Sequence, residues 1–344
     1  MSEVVVVTGA AGFLGYHIAA QYLKNNFTVI GIDNLLTGTA KNVHDLQANP
    51  NFQFIRHSVE DDWYVVEQMM KVRNLNRIKY IFHFASIAEP TKFQSHFPEI
   101  MKANSVGTTN ALEFARRFKA RVIFASSSEI YGNIPVAEVS EKEYGHVNSM
   151  GFRSCYNESK RFSESYISHT NRVYGTEHGV VRIFNTYGPR MNPQDTRVVS
   201  AIINWALRNQ DIEVYGGDQR TRSFCYVDDL VKGIMAYADS KIQEPMNLGN
   251  DEETPIVELA KKIIKMSRSK SKIIFKDARL DEVEKRKPCL TFAKKSIQFK
   301  TSVSLDDGLF KTVEYLKQNA QTRFHTTSNQ TKVDQSQNSE QVGQ

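Results

Sequence analysis

Short apolar runs recur through the first half of the chain, separated by stretches whose apolar positions return every three or four residues. "VVVV" (4–7), "FTVIGI" (27–32), "FQFIRH" (52–57), "KYIFHFA" (79–85) and "RVIFAS" (121–126) are mostly β-branched or aromatic and alternate little. A strand with one wet face alternates, so runs apolar throughout predict parallel strands covered on both faces. The intervening stretches have helical spacing, the longest being "HFPEIMKANSVGTTNALEFARRF" (96–118). Strand–helix–strand repetition predicts an α/β fold around a doubly wound parallel sheet. "HGVVRIFNTYGP" (178–189) predicts another strand running into a loop, after which the rhythm loosens and helices are expected at 198–209 and 255–266. Residues 1–185 are therefore read as the sheet domain, with later strands contributed from the C-terminal half. Residues 186–317 form a smaller, interleaved lobe that binds substrate. From Gln318 onward the chain is polar and low in complexity, the composition of a disordered tail over 318–344.

Composition narrows the class. A chain of 344 residues can bury a sizeable core, and 40% hydrophobic with 24% charged residues suits a soluble globular protein. No apolar run reaches membrane-spanning length. The net charge of +6 is spread along the chain, which fits an anionic small molecule and is too diffuse for nucleic acid. The basic run "KKIIKMSRSKSKIIFK" (261–276) reads as a solvated helix followed by a strand. Cys155, Cys225 and Cys289 are dispersed and odd in number, so a reducing compartment is expected, with no disulfide framework and no metal site. "MSE" leads directly into a strand without a charged leader, and a cytoplasmic protein is the expectation.

The first strand ends in "TGAAGFLG", in which Gly9, Gly12 and Gly15 repeat every third residue before an amphipathic helix. Glycine lets the backbone turn sharply and approach a pyrophosphate, whose charge then sits at the helix N-terminus. The second strand ends in Asp33, where a carboxylate accepts both ribose hydroxyls of an adenosine and repels a 2′-phosphate. The sheet domain is thus expected to be of Rossmann type and to bind NAD.

That loop changes the meaning of "MGFRSCYNESKR" (150–161), which carries Tyr156 and Lys160 one helical turn apart. Taken alone the pair is ordinary on a helix surface. Beside a dinucleotide loop, the chain resembles the extended short-chain dehydrogenase/reductase family of nucleotide-sugar enzymes over roughly residues 3–317. The resemblance implies that Lys160 binds the nicotinamide ribose and lowers the Tyr156 pKa, so that tyrosinate takes the proton of a sugar 4-hydroxyl. "SSS" (126–128) supplies the accompanying hydroxyl, assigned to Ser127. By the same resemblance Phe13, Leu14 and Asn34, and Ala85 in "HFAS" (83–86), flank the cofactor, and Asn104 braces backbone between strands. Asn185, Arg197, Arg222 and Arg286 are implied on the nucleotide-sugar side, where guanidinium forks suit carboxylate and diphosphate oxygens. The family expectation for assembly is a homodimer through the helices near 96–118 and 156–173.

Members of this family share a first step, oxidation at C4, and differ in the later steps. In "SSSEIYG" (126–132), Ser128 stands where a 4,6-dehydratase typically has an acidic residue, and Glu129 stands where a simple 4-epimerase typically has none. Ser-Glu is the arrangement of the UDP-glucuronate decarboxylases (UDP-xylose synthases), which "YGHVNSMGFRSCYNESKR" (144–161), "RVV" (197–199) and "TRSFCYVDDL" (221–230) also resemble. The expected roles are carboxylate recognition for Arg222, a hydrogen bond near the reacting end for Ser128, and positioning of substrate or water for Glu129. The chain departs from that pattern at Ser58, Ser159, Cys289 and Phe299, and above all at "IAEPTKF" (87–93), which brings Glu89 to the expected sugar site. There its charge is expected to repel the carboxylate of the substrate. Epimerisation or dehydration of another nucleotide sugar is the alternative, as is an NAD-binding protein without turnover.

Overall fold

A computed structural model of the chain describes residues 3–136, 138–277 and 287–319. Seven strands make the central sheet: β1 (Val4–Thr8), β2 (Thr28–Asp33), β3 (Phe52–Arg56), β4 (Ile78–His83), β5 (Arg121–Ser127), β6 (Gly179–Ile183) and β7 (Met246–Leu248). Their spatial order is β7-β6-β5-β4-β1-β2-β3, and every neighbouring pair is parallel. The chain leaves the sheet after β6, builds the second lobe, and returns to pair β7 with β6.

The unbroken apolar runs are explained by the two cores. Val5 and Val7 of β1 pack on one side and Val4 and Val6 on the other, all four fully buried. Connecting and covering the strands are α1 (Phe13–Lys24), α2 (Ala40–Gln47), α3 (Tyr64–Val72), α4 (Phe97–Asn104), α5 (Val106–Phe118) and α6 (Ser154–Tyr174). They are followed by α7 (Val198–Leu207), α8 (Val227–Asp239), α9 (Ile256–Ser267), α10 (Thr291–Ile297) and a last helical stretch over 305–319. Residues of α1 and α8 fill the first core; residues of α3 and α5 fill the second. Burying one such aliphatic side chain stabilises the fold by roughly 1.5–3 kcal/mol.

The single helix expected over 96–118 is divided at Ser105, whose φ/ψ is −99°/−75°. At that point the Asn104 carbonyl accepts hydroxyl protons from Thr108 (2.6 Å) and from Ser163 of α6. Side chains inserted into the helical ladder bend it there. Asn104 also donates to the Ser159 hydroxyl at 3.0 Å. Its bracing is therefore between helices α4 and α6, not between strands as expected.

The second lobe holds α7, α9 and three two-stranded pieces too short to show a periodicity. Ile212–Tyr215 pairs with Ile273–Lys276, Thr221–Ser223 with Glu253–Pro255, and Thr186–Tyr187 with Cys225–Tyr226. Arg286 lies outside the described residues, as does the expected tail from residue 320 on; residues 318 and 319 are helical. Among the described residues no helix is long and apolar enough to cross a membrane, and no group of His, Cys, Asp and Glu could hold a metal ion.

Candidate active site

In a doubly wound sheet the chain leaves neighbouring strands in opposite directions at one place, here between β1 and β4, and opens a crevice at their carboxyl ends. A cleft of about 930 Å³ occupies that position and runs on into the second lobe. Every site residue expected from the sequence that lies within the described residues lines this one cleft: Gly9, Gly12, Phe13, Leu14, Gly15, Asp33, Asn34, Ala85, Glu89, Ser127, Ser128, Glu129, Tyr156, Lys160, Asn185, Arg197 and Arg222.

The cofactor half is made of tightly packed backbone. Gly9 has φ +72°, and a Cβ there would lie 2.9 Å from the Ala85 nitrogen; one on Gly15 would lie 2.0 Å from the Gly9 carbonyl oxygen. Gly12 caps α1 without any side-chain bond, which leaves the first amides of the helix for an anion. Thr8, at the end of β1, ties the facing loop down. Its hydroxyl accepts the amides of Phe84 (3.0 Å) and Ala85 (3.1 Å) and donates to Nδ1 of His83 (3.0 Å). Burial, with the Lys160 charge adding, lowers the His83 pKa to about 3, so the neutral ring donates from Nε2 to the Ala103 carbonyl. Asp33 is buried; its Oδ2 accepts the Ala11 amide (3.0 Å) and its Oδ1 the Leu35 amide (2.8 Å). Burial raises its pKa, against the pull of both amides. Asn34 is committed to its own turn, accepting the Leu36 amide and donating to Ser58. These donors, glycines and the carboxylate fit a dinucleotide.

At the centre stands Tyr156, buried and stacked on Phe93 with centroids 5.0 Å apart and planes 14° from parallel. Burial raises its pKa to about 12 and Glu129 adds to that, while the hydrogen bond with Ser127 and the charges of Arg197 and Arg153 pull it down. Lys160 faces the same ring, 5.6 Å from its centroid. Its ammonium donates to the Ala125 carbonyl at 2.7 Å and lies 4.7 Å from the Phe124 ring centroid. Burial lowers its own pKa to about 7, with Glu164 opposing. Glu129 is paired with Arg153, which donates from Nη2 (2.9 Å) and Nε (3.1 Å). Arg153 lies three residues before Tyr156 in a stretch already singled out, and its spacing from Glu129 gave no signal.

In the substrate half, Arg197 makes a two-pronged pair with Asp195, Nη2 to Oδ2 at 2.7 Å and Nε to Oδ1 at 3.0 Å. Burial works against the carboxylate, but the Arg197 guanidinium wins and holds the Asp195 carboxyl below its ordinary range. Arg222 donates to the Thr221 carbonyl at 2.8 Å. Deeper in the second lobe Trp205, Glu213 and Tyr215 line the cleft, with the Tyr215 hydroxyl bonded to Glu213. The Glu89 carboxylate, expected to repel a substrate carboxylate, is paired with the Lys92 ammonium at 2.9 Å and accepts the amide of Thr196.

The sequence model of the NAD dependent epimerase/dehydratase family matches residues 5–249, more than half of the chain. UDP-glucuronic acid decarboxylase 1 of Xenopus tropicalis is 37% identical over 326 residues, which cover 95% of this chain and 74% of that protein. Among solved structures, the UDP-glucose 4-epimerase of Thermotoga maritima with UDP-glucose matches at a TM-score of 0.82 and 29% identity, covering 92% of this chain and 99% of that one. The UDP-glucuronic acid 4-epimerase of Bacillus cereus, in complex with UDP-glucuronic acid and NAD, matches at 0.80 and 25% identity with the same coverages.

Proposed function

Since this chain belongs to the NAD-dependent epimerase/dehydratase family and is an NAD-dependent enzyme of nucleotide-sugar modification, we propose that its substrate is UDP-glucuronate and its reaction decarboxylation to UDP-xylose. The observation that carries the reading is the make-up of the cleft beside Tyr156. Arg153, Arg197 and Arg222 line it, Glu129 is held by Arg153, and the residue before Glu129 is Ser128.

NAD, when bound, would supply the hydride acceptor for C4 of the sugar and the donor that later restores it, with no net oxidation. Gly9, Gly12, Gly15 and Asp33 would hold it, with Lys160 for its ribose hydroxyls. Tyr156, as the tyrosinate that the Ser127 hydrogen bond and the Arg197 and Arg153 charges favour against burial, accepts the proton of the 4-hydroxyl. With C4 a ketone, the C6 carboxylate belongs to a β-keto acid. The C5–C6 bond breaks, its electrons stay on the sugar as an enolate, and CO₂ departs. No acid is required for a leaving hydroxyl, which suits Ser128 at that position. Arg222 recognises the carboxylate, Asn185 contacts the nucleotide-sugar, and Glu129, aimed by Arg153, positions the water that reprotonates C5.

The test is the mass of the nucleotide sugar after incubation of purified protein with NAD and UDP-glucuronate. Loss of CO₂ supports the reading; recovery of an isomer of unchanged mass replaces it with 4-epimerisation, the second reading, favoured by the fold shared with the Bacillus cereus epimerase. The enzyme is further proposed to work as a homodimer. Phe97, Met101, Val106, Phe162, Tyr166 and Val173 are exposed along α4, α5 and α6, and a second copy would cover them. A monomer mass in sedimentation at micromolar concentration would overturn that assembly.

A further inference from the structure

Glu89 sits in the cleft wall with 8% of its surface exposed. Its Oε1 accepts the Thr196 amide at 2.9 Å and the Thr196 hydroxyl at 2.7 Å, and its Oε2 meets the Lys92 ammonium at 2.9 Å. The Thr196 hydroxyl has one proton and gives it to Glu89. In the 2.8 Å contact between the Thr91 and Thr196 hydroxyls, Thr91 is therefore the donor. Both threonines close the same junction.

The junction joins two loops that carry chemistry. The segment from Pro189 to Thr196 is tied to the first domain at its start: the Pro189 carbonyl bonds His17 (2.9 Å), Arg190 pairs with Asp45, and Asn192 donates to the Thr37 carbonyl (3.3 Å). At its far end the tie is Thr196 to Glu89. Arg197 follows immediately, and its guanidinium is locked to Asp195 within the same segment, so its place relative to Tyr156 is set by where Thr196 is held. The loop that carries Glu89 also carries Phe93, stacked on Tyr156.

We propose that Glu89 is a positioning residue, latching the Thr196–Arg197 end of the second lobe onto the loop after β4 and so holding the Arg197 guanidinium beside Tyr156. The kinetic arm of the test rests on the UDP-glucuronate reading; the exchange arm does not. In hydrogen exchange of the NAD-loaded protein without sugar, Glu89→Ala should speed exchange at Thr196 and Arg197 about tenfold or more, with the β1 and β4 amides unchanged. Glu89→Gln keeps an acceptor for Thr196 and should restore most of the protection. With UDP-glucuronate, Glu89→Ala should lower kcat about tenfold in an otherwise native chain, yet have no further effect in an Arg197→Ala background. Unchanged exchange at Thr196, or additive losses with Arg197→Ala, overturns the latch. Should Glu89→Ala fail to fold, Thr196→Val, which removes one of the two donors, is put through the same two measurements with the same directions expected. If the native enzyme leaves UDP-glucuronate untouched, the substrate reading falls and exchange alone decides.

Discussion

The two halves of the cleft are built by different means. The cofactor half is main chain against main chain: Gly15 against the Gly9 carbonyl, Gly9 against Ala85, and Thr8 holding the amides of Phe84 and Ala85. The substrate half is made of charged side chains that hold one another in place: Glu129 with Arg153, Asp195 with Arg197, Glu89 with Thr196 and Lys92. A backbone cradle depends on residues that permit a conformation, whereas a charge network depends on which charged groups are brought to face one another. The first tolerates almost no added atom, and the second can be retuned one pair at a time.

The sharpest way to break the contrast is at the seam, where Tyr156 belongs to both halves. Tyr156→Phe should cut turnover of UDP-glucuronate by roughly a hundred- to ten-thousand-fold while NAD binding, followed by fluorescence titration, stays within about twofold. In the substrate half, Arg222→Ala should lower kcat/KM for UDP-glucuronate by about 10- to 100-fold, as for a lost charged hydrogen bond of about 1.5–3 kcal/mol. Normal turnover would remove Arg222 from carboxylate recognition. Gly15→Ala probes the backbone cradle. Its Cβ would meet the Gly9 carbonyl at 2.0 Å, so a loss of about 1–3 kcal/mol in urea unfolding is expected, together with weaker NAD binding.

A last effect is on stability against pH. Folded, Lys160 has a pKa lowered to about 7, against about 10.4 in an unfolded chain. Between those values the unfolded chain binds a proton that the folded one does not, so this lysine makes stability rise with pH through that window. In NAD-free protein the unfolding midpoint should therefore climb less steeply from pH 7 to 9 in Lys160→Met than in the native chain. An identical slope in both would mean that the lysine is charged when folded.

Much of the fold was legible because its signals are local. Uninterrupted apolar runs such as residues 4–7 reflect burial on both faces, and "TGAAGFLG" reflects a turn that only glycine permits. The break at Ser105 was not legible, because it arises where hydroxyls of Thr108 and Ser163 reach one carbonyl. Nor were the two- to four-residue strands of the second lobe, which are too short to carry a period.

By itself, then, the order of residues determined the parallel sheet, the dinucleotide loop, Asp33 at the end of β2 and the Tyr156–Lys160 pair, since each is encoded within a few consecutive positions. Only the tertiary structure decided what the charges do. It turned Lys160 to the Ala125 carbonyl, set Arg153 on Glu129, and joined Glu89 to Thr196, 107 positions away. The reason is physical: a backbone conformation is a property of neighbouring residues, but the meaning of a charge depends on its partner, and the fold chooses the partner.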